Sequence, residues 1–398
     1  MSNIPRLRFP EFSGEWEEKH IDELSQINPK PDALPEVFTY IDLESVKNGV
    51  LLQDRMIKKE DAPSRAQRLL QEKDILFQTV RPYQRNNYFF NSKTTAVAST
   101  GYAQFRVNKD NYPSFLYQYF YTENFVKNVL DRCSGTSFPA ISTNDLLEIN
   151  LYIPSLAEQQ KIADFLSNVD SIITAETKIL NILQKKKKAL MQKLFTRQLR
   201  FKSDDGSDFL EWQESTLEKE CDYVDYRGKT PKKVNTGIFL VTAKNIKLGY
   251  IDYECSKEYI AENDYNEVMH RGKAKLGDVL ITTEAPCGNV AQIDNENVAL
   301  AQRVIKYSSK GRLNNTFLKY YFLSDIFRTI INEKATGSTV KGIKGSVLHK
   351  QKVIIPSLEE QQKIADCLLS LDSLIQNQQK VVTTWQQRKK ALLQQMFV

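Results

Sequence analysis

IPSLAEQQKIADFL, residues 153–166, returns as IPSLEEQQKIADCL, residues 355–368. The copies lie 202 residues apart and differ at two positions, Ala157 against Glu359 and Phe165 against Cys367. Each copy opens a run with one hydrophobic spacing. Ile162, Leu166, Val169, Ile173, Glu176, Leu180, Leu183, Lys187, Leu190 and Leu194 alternate steps of four and three. Ile364, Leu368, Leu371, Ile375, Gln378, Val382, Trp385, Lys389, Leu392 and Met396 do so in the second run. That spacing is a coiled-coil seam, so it predicts two long helices that pair with each other. Both seams turn polar at the same steps, Glu176/Gln378 and Lys187/Lys389, and matched polar interruptions help fix register. Ser155 with Glu158, and Ser357 with Glu360, follow Pro154 and Pro356 and read as capping boxes. No Pro or Gly interrupts either run; the 41 residues from Ser155 to Phe195 would make a helix ~60 Å long.

The repetition extends upstream. GTSFPAIS (135–142) faces GSTVKGIK (337–344) at the same offset of 202. YIDLESVKNGVL (40–51) faces LVTAKNIKLGYI (240–251) at 200, and KDILFQT (73–79) faces GDVLITT (277–283) at 204. LRFPEFSGEW near the N-terminus faces LRFKSDDGSDFLEW after the first helix. The chain is therefore a tandem duplication, with a head at 1–152, a helix at 153–197, a second head at 198–354 and a second helix at 355–398. Runs such as ILFQTV and VLITTE, bounded by Asp and Gly turns, read as strands. FLYQYFYTENFVKNVL and FLKYYFLSDIFRTII read as short amphipathic helices. The expected fold class is α+β: two α+β heads, each followed by a long helix, with the helices antiparallel about a pseudo-two-fold axis. Two such heads suit a duplex, whose own local two-fold axes let one protein read two half-sites.

The bulk numbers agree with that size. A chain of 398 residues exceeds one ordinary core. Hydrophobic residues make up 41% and charged residues 26%, a globular balance. A net charge of +6 favours a polyanionic partner only mildly. Five scattered cysteines without a CxxC pair suggest a reducing compartment and no zinc site. The N-terminal MSNIPRLRFPEFSGEW has no apolar core of a leader, and no run approaches a membrane span, so a cytoplasmic location is expected.

With the IPxxEQQKIA openings, the basic helix ends KKKKALMQKLF and QRKKALLQQMF, and KNIKLGYI upstream of the GDVL turn, the chain resembles the specificity (S) subunit of type I restriction–modification enzymes along essentially its full length. The resemblance implies two target recognition domains alternating with two conserved helical regions. Each recognition domain would read one part of a bipartite DNA target. The helices would act as a spacer and dock two methyltransferase subunits, which carry S-adenosylmethionine; two motor-nuclease subunits, with ATP and Mg, can join. One departure is Lys73, which stands where a Gly usually precedes the Asp, so a different turn is expected there.

No catalytic pattern competes with that reading. The Asn/Asp-Pro-Pro-Tyr/Phe signature of an amino-methyltransferase is absent, since Asn28-Pro29 is followed by Lys30. Gly228-Lys229-Thr230 lacks the earlier glycine of a phosphate-binding loop, Tyr223 standing there instead. Pro31-Asp32 opens no nuclease motif, because no Asp/Glu-x-Lys follows in the first head. His20, His270 and His349 are isolated, and Asp204-Asp205 sits in a linker. The chain is expected to be a non-catalytic subunit without metal.

Base reading needs amide, hydroxyl and cationic side chains at groove edges. In the first head, Arg81, Tyr83, Gln84, Arg85, Asn86 and Asn87 cluster beside Pro82, which favours an exposed bend. The aligned place in the second head offers Thr283, Glu284 and Asn289, with Glu284 able to accept from cytosine's amine. Ser134, Thr136 and Ser137, and Ser338, Thr339, Lys341 and Lys344, stand at matching spots before the helices. Arg227, Lys229, Lys232 and Lys233, and Lys244 with Asn245, are further candidates for phosphate or base contact, as are Lys58, Lys59, Arg65 and Arg68. Lys185–Lys188 and Arg388–Lys390 are expected to lie on a solvated face, or toward spacer DNA or an acidic methyltransferase surface. Two other readings use the same features: a free-standing two-headed DNA-binding regulator, and a coiled-coil adaptor whose heads bind protein and no DNA.

Overall fold

The computed structural model describes residues 3–226, 231–337 and 339–398. The chain forms two compact units, Met1–Lys178 with Gln379–Val398, and Ile179–Gln378. The first long helix, Leu156–Phe195, begins in the first unit and ends in the second; the other, Leu358–Met396, runs the opposite course.

In the first unit, strands Ser25–Ile27, Tyr102–Val107, Asp74–Gln78 and Tyr88–Phe90 form an antiparallel sheet in that order. Asp74–Gln78 is buried at all five positions, as a central strand covered on both faces must be. A second sheet orders Met56–Lys58, Val37–Ile41, Ala96–Ser99 and Ala66–Leu69, with the middle pair parallel. Glu17–His20 pairs with Asn150–Ile153 just ahead of the long helix. The second unit repeats this plan with Cys221–Asp225, Val304–Ser309, Val279–Thr282 and Val290–Gln292 in one sheet. A parallel pair, Ile238–Val241 with Val298–Leu300, lies in the other. Gln213–Thr216 pairs with Lys352–Ile355 ahead of the second helix. The fold is α+β, twice.

The two expected amphipathic stretches are each broken once. Pro113–Tyr119 and Glu123–Asp131 are separated at Thr122, and Asn315–Leu323 and Asp325–Lys334 at Ser324; both hydroxyls cap the following helix. These helices cover the first sheet of each head with aromatic rings: Phe120 stacks on Phe125 at 4.8 Å and Phe322 on Phe327 at 4.4 Å.

The repeated phrase forms a joint between head and helix. Ser155 Oγ accepts from the Glu158 backbone N at 3.4 Å and Ser357 Oγ from that of Glu360 at 3.3 Å. The other half of the expected capping box does not form. Glu158 is 2% exposed and accepts instead from Arg8, through Nε and Nη2, at 2.8 Å each. Glu360 accepts from Arg200 at 3.1 and 2.9 Å and from Trp212 Nε1 at 3.1 Å. A carboxylate this deeply buried needs a cation, and that demand outweighs a backbone amide. The neighbouring Gln159 accepts from Tyr112 N at 2.9 Å and donates to Pro154 O at 3.0 Å, while Gln361 accepts from Asn314 N at 2.7 Å and donates to Pro356 O at 2.9 Å.

Every seam position from Ile162 and from Ile364 is buried or half-buried. In the first unit Ile162 and Leu166 share a core with Leu393, Met396 and Phe397, the end of the second helix. In the second unit Ile364 and Leu368 share a core with Met191, Leu194 and Phe195, the end of the first. Start meets end in both, so the helices are antiparallel. Lys73 does not change its turn: its φ of +73° matches the +83° of Gly277. Asp74 and Asp278 both accept from the amide three residues earlier, Gln71 N at 2.7 Å and Lys275 N at 3.2 Å. Among the described residues no helix is long and apolar enough to cross a membrane.

Candidate nucleic-acid interface

Each head brings together two segments that the sequence places far apart. In the first, Arg81 N donates to Pro139 O at 2.7 Å and Ile141 N to Thr79 O at 3.1 Å. In the second, Ile343 N donates to Thr283 O at 2.9 Å, and Glu284 bridges Gly342. The turn after the central strand thus lies against the segment before the helix in both. That second segment closes on itself through Ser134–Ala140 and Thr336–Gly342 bridges. A glycine begins each closure: Gly135 at φ +89° and Gly337 at φ +117°. A Cβ on Gly337 would meet Val340 O at 2.2 Å, so only glycine fits.

The junction of turn and segment is the candidate groove of each head; in the first, the Arg81 guanidinium lies over the exposed Phe138 ring, 4.1 Å from its centroid. Arg81 and Arg85 both have φ of +54°, left-handed for non-glycine residues, and flank the turn Pro82–Gln84. Pro82 is buried and holds the turn from beneath rather than as an exposed bend. Tyr83 and Gln84 are exposed on it. Gln84 Oε1 accepts from Gln78 Nε2 at 2.9 Å, and Asn86 Oδ1 accepts from Asn48 N at 3.0 Å. Ser134, Thr136 and Ser137 are exposed beside them.

Two members of the expected cluster serve the loop itself. Asn87 is 1% exposed, and its Oδ1 accepts from Gln78 N at 2.9 Å. Arg85 is tied to Glu123, Nη2 to Oε2 at 2.5 Å, and donates to Tyr121 O at 3.3 Å. That hydrogen bond holds the Glu123 carboxyl below its ordinary range, with Lys390 adding to it.

In the second head Asn245 is fully buried: its Oδ1 accepts from Thr242 N at 3.0 Å, and its Nδ2 donates to Asp252 O at 2.9 Å and Ser256 O at 2.8 Å. Thr283 is buried too, and Asn289 Nδ2 donates to Ile246 O at 2.8 Å. Asn245 and Asn289 are thus bonded to main-chain carbonyls of their own head, and Thr283 is held below the surface. Glu284 is on the groove and pairs with Arg303, which no sequence pattern marked. Thr339, Lys341, Lys344, Lys232 and Lys244 are exposed, and Lys233 pairs with Glu258 at 2.7 Å. Arg227, Lys229 and Ser338 lie outside the described residues.

The basic helix ends are partly internal. Lys187 bonds Asp372, and Lys389 bonds Asp170 at 2.6 and 2.8 Å, each across the helix pair within one unit. Lys390 reaches Glu123 at 3.2 Å and Lys188 reaches Asp325 at 4.0 Å, on the heads. Lys185, Lys186 and Arg388 are exposed. Among the described residues, no group of three or more His, Cys, Asp or Glu could hold a metal ion.

A family model described as the type I restriction modification DNA specificity domain matches the chain twice, over residues 13–185 and 211–384. The specificity subunit of the type I restriction enzyme MjaVIII from Methanocaldococcus jannaschii is 28% identical over 285 residues. That alignment covers 68% of this chain, and the chain spans 66% of that relative's length. The crystal structure of the S subunit of a type I restriction–modification system from M. genitalium has a TM-score of 0.60 at 15% identity, covering 99% of both chains. A chain solved for the complex assembly and conformational transition of the type I R-M system has a TM-score of 0.57 at 21% identity, covering 96% of this chain and 97% of that one. At those identities the structures speak to fold alone.

Proposed function

We propose that this chain, which belongs to the type I restriction modification DNA specificity family, is the target-reading subunit of a DNA methyltransferase complex and performs no catalysis itself. Each head reads one part of a bipartite, asymmetric target. The helices set the spacing between the parts and dock two methyltransferase subunits; two motor-nuclease subunits join where restriction accompanies methylation.

The supporting observation is a contrast between frame and groove. Frame residues repeat: Ser155 and Ser357 cap, Glu158 and Glu360 take an arginine, Lys389 and Lys187 take an aspartate. Groove residues differ: Arg81, Tyr83 and Gln84 stand against Ala285, Cys287 and Gly288, and Phe138 against Val340. Phosphates are the same at every base pair, whereas base edges differ in donors and acceptors. Divergent grooves on one frame therefore suit a reader of two different half-sites.

The half-buried Arg81 and the exposed Gln84, Thr136 and Ser137, and in the second head the half-buried Glu284 and the exposed Thr339, Lys341 and Lys344, are the side chains we assign to DNA. S-adenosylmethionine, held on the methyltransferase subunits, supplies the methyl group for the exocyclic amine of a flipped adenine. ATP and Mg belong to the motor subunits. This chain's part is to select the sequence and present it.

Methylome sequencing of a host expressing this chain with its methyltransferase tests the reading. One bipartite, non-palindromic motif with a methylated adenine in each part is expected. No new motif, or one continuous motif, contradicts it. An adaptor without DNA would show no salt-dependent DNA binding.

A further inference from the structure

Arg303 precedes strand Val304–Ser309, at the place that Gly101 holds before strand Tyr102–Val107. The main-chain carbonyl at both places accepts from the turn: Thr283 N donates to Arg303 O at 2.9 Å and Thr79 N to Gly101 O at 3.1 Å. Arg303 has φ of +71°. A non-glycine residue persists in that region only where its surroundings hold it there, and such positions cluster at functional sites.

The side chain is half open to solvent, and its Nε lies 2.7 Å from Glu284 Oε1. With Gln302, Thr336 and Lys344 the pair lines an open cavity of about 460 Å³. The carboxylate that the sequence offered to cytosine is therefore engaged by an arginine. The guanidinium lies against Glu284 by its Nε edge, and its two terminal amines are the kind of donor pair that matches guanine O6 and N7. The first head has the reverse arrangement: glycine at 101, and an arginine at 81, where the second head has Ala285.

We propose that Arg303, oriented by Glu284, is the guanine-reading side chain of the second head. Arg81 is its counterpart in the first, so each groove receives one arginine from a different place in the chain. The assignment rests on the DNA-reading role proposed above.

Arg303→Gly is the informative variant, because glycine is what the first head carries and it suits the backbone at this position. It should melt no lower than wild type. The assembled methyltransferase complex is titrated with single-base variants of its target over a salt series. R303G is expected to lose about ten- to hundredfold discrimination at one guanine of the second half-site. R303K should fail to restore it, and the first half-site should not change. Unchanged discrimination, or uniform weakening with a salt slope lower by about one unit, overturns the Arg303 assignment alone. A wild-type complex without preference at any base overturns the DNA-reading role and this assignment with it.

Discussion

Lys389 Nζ lies 2.6 Å from Asp170 Oδ1, joining the end of the second long helix to the first within one unit. Its counterpart 202 residues away joins Lys187 to Asp372. Both aspartates are also held by their head: Gln118 Nε2 donates to Asp170 at 2.8 Å and Tyr320 Oη to Asp372 at 2.6 Å. The lysine steps in the two seams are thus where helix, partner helix and head are registered together.

A double-mutant cycle on Lys389 and Asp170 should reveal that coupling. K389M and D170N are each expected to destabilise the assembled complex by about 2 kcal/mol, the range for hydrogen bonds to charged groups. The double variant should cost clearly less than the sum. Additive losses in denaturant unfolding would remove this contact as a register pin.

Arg8 and Glu158 form a more deeply buried pair, 13% and 2% exposed. Removing Arg8 leaves a buried carboxylate without its cation, at a cost of about 3–5 kcal/mol. R8M should therefore be more harmful than E158Q, which leaves a neutral amide behind and the less buried guanidinium nearer to water. Thermal unfolding that ranked the two the other way would mean Glu158 is not dependent on Arg8.

The first groove separates its two arginines. R81A should relax base choice in the first half-site by about ten- to hundredfold at one or two positions. R85A should instead loosen the turn, since Arg85 is bound to Glu123 and Tyr121 O. Its effect should appear as lower thermal stability and a general loss of binding. Identical base-panel profiles for the two variants would contradict the division.

The long helices were legible because alternating three- and four-residue steps are a local signal, and the offset of 202 exposed the duplication. The fate of Glu158 was not legible, because its partner is 150 residues away and the local pattern suits a capping box equally well. Asn87 and Asn245 looked exposed because polar residues near Gly and Pro usually are. Their burial follows from backbone amides and carbonyls that needed partners in those turns. Arg303 lies outside every motif. Its one sequence signal is alignment against Gly101, an arginine where the sister head has glycine. The basic runs at the helix ends likewise hid two roles, with Lys389 and Lys187 inside the frame and Lys185, Lys186 and Arg388 outside it.

The central claim is that each head reads one part of the target independently of the other. Residues 206–350 are exchanged for the second head of a relative with a different known target, and the methylome of a host carrying the hybrid with its methyltransferase is sequenced. One half of the motif should change to that of the donor, with the other half and the spacing retained. A motif altered in both halves, or in neither, would contradict the account.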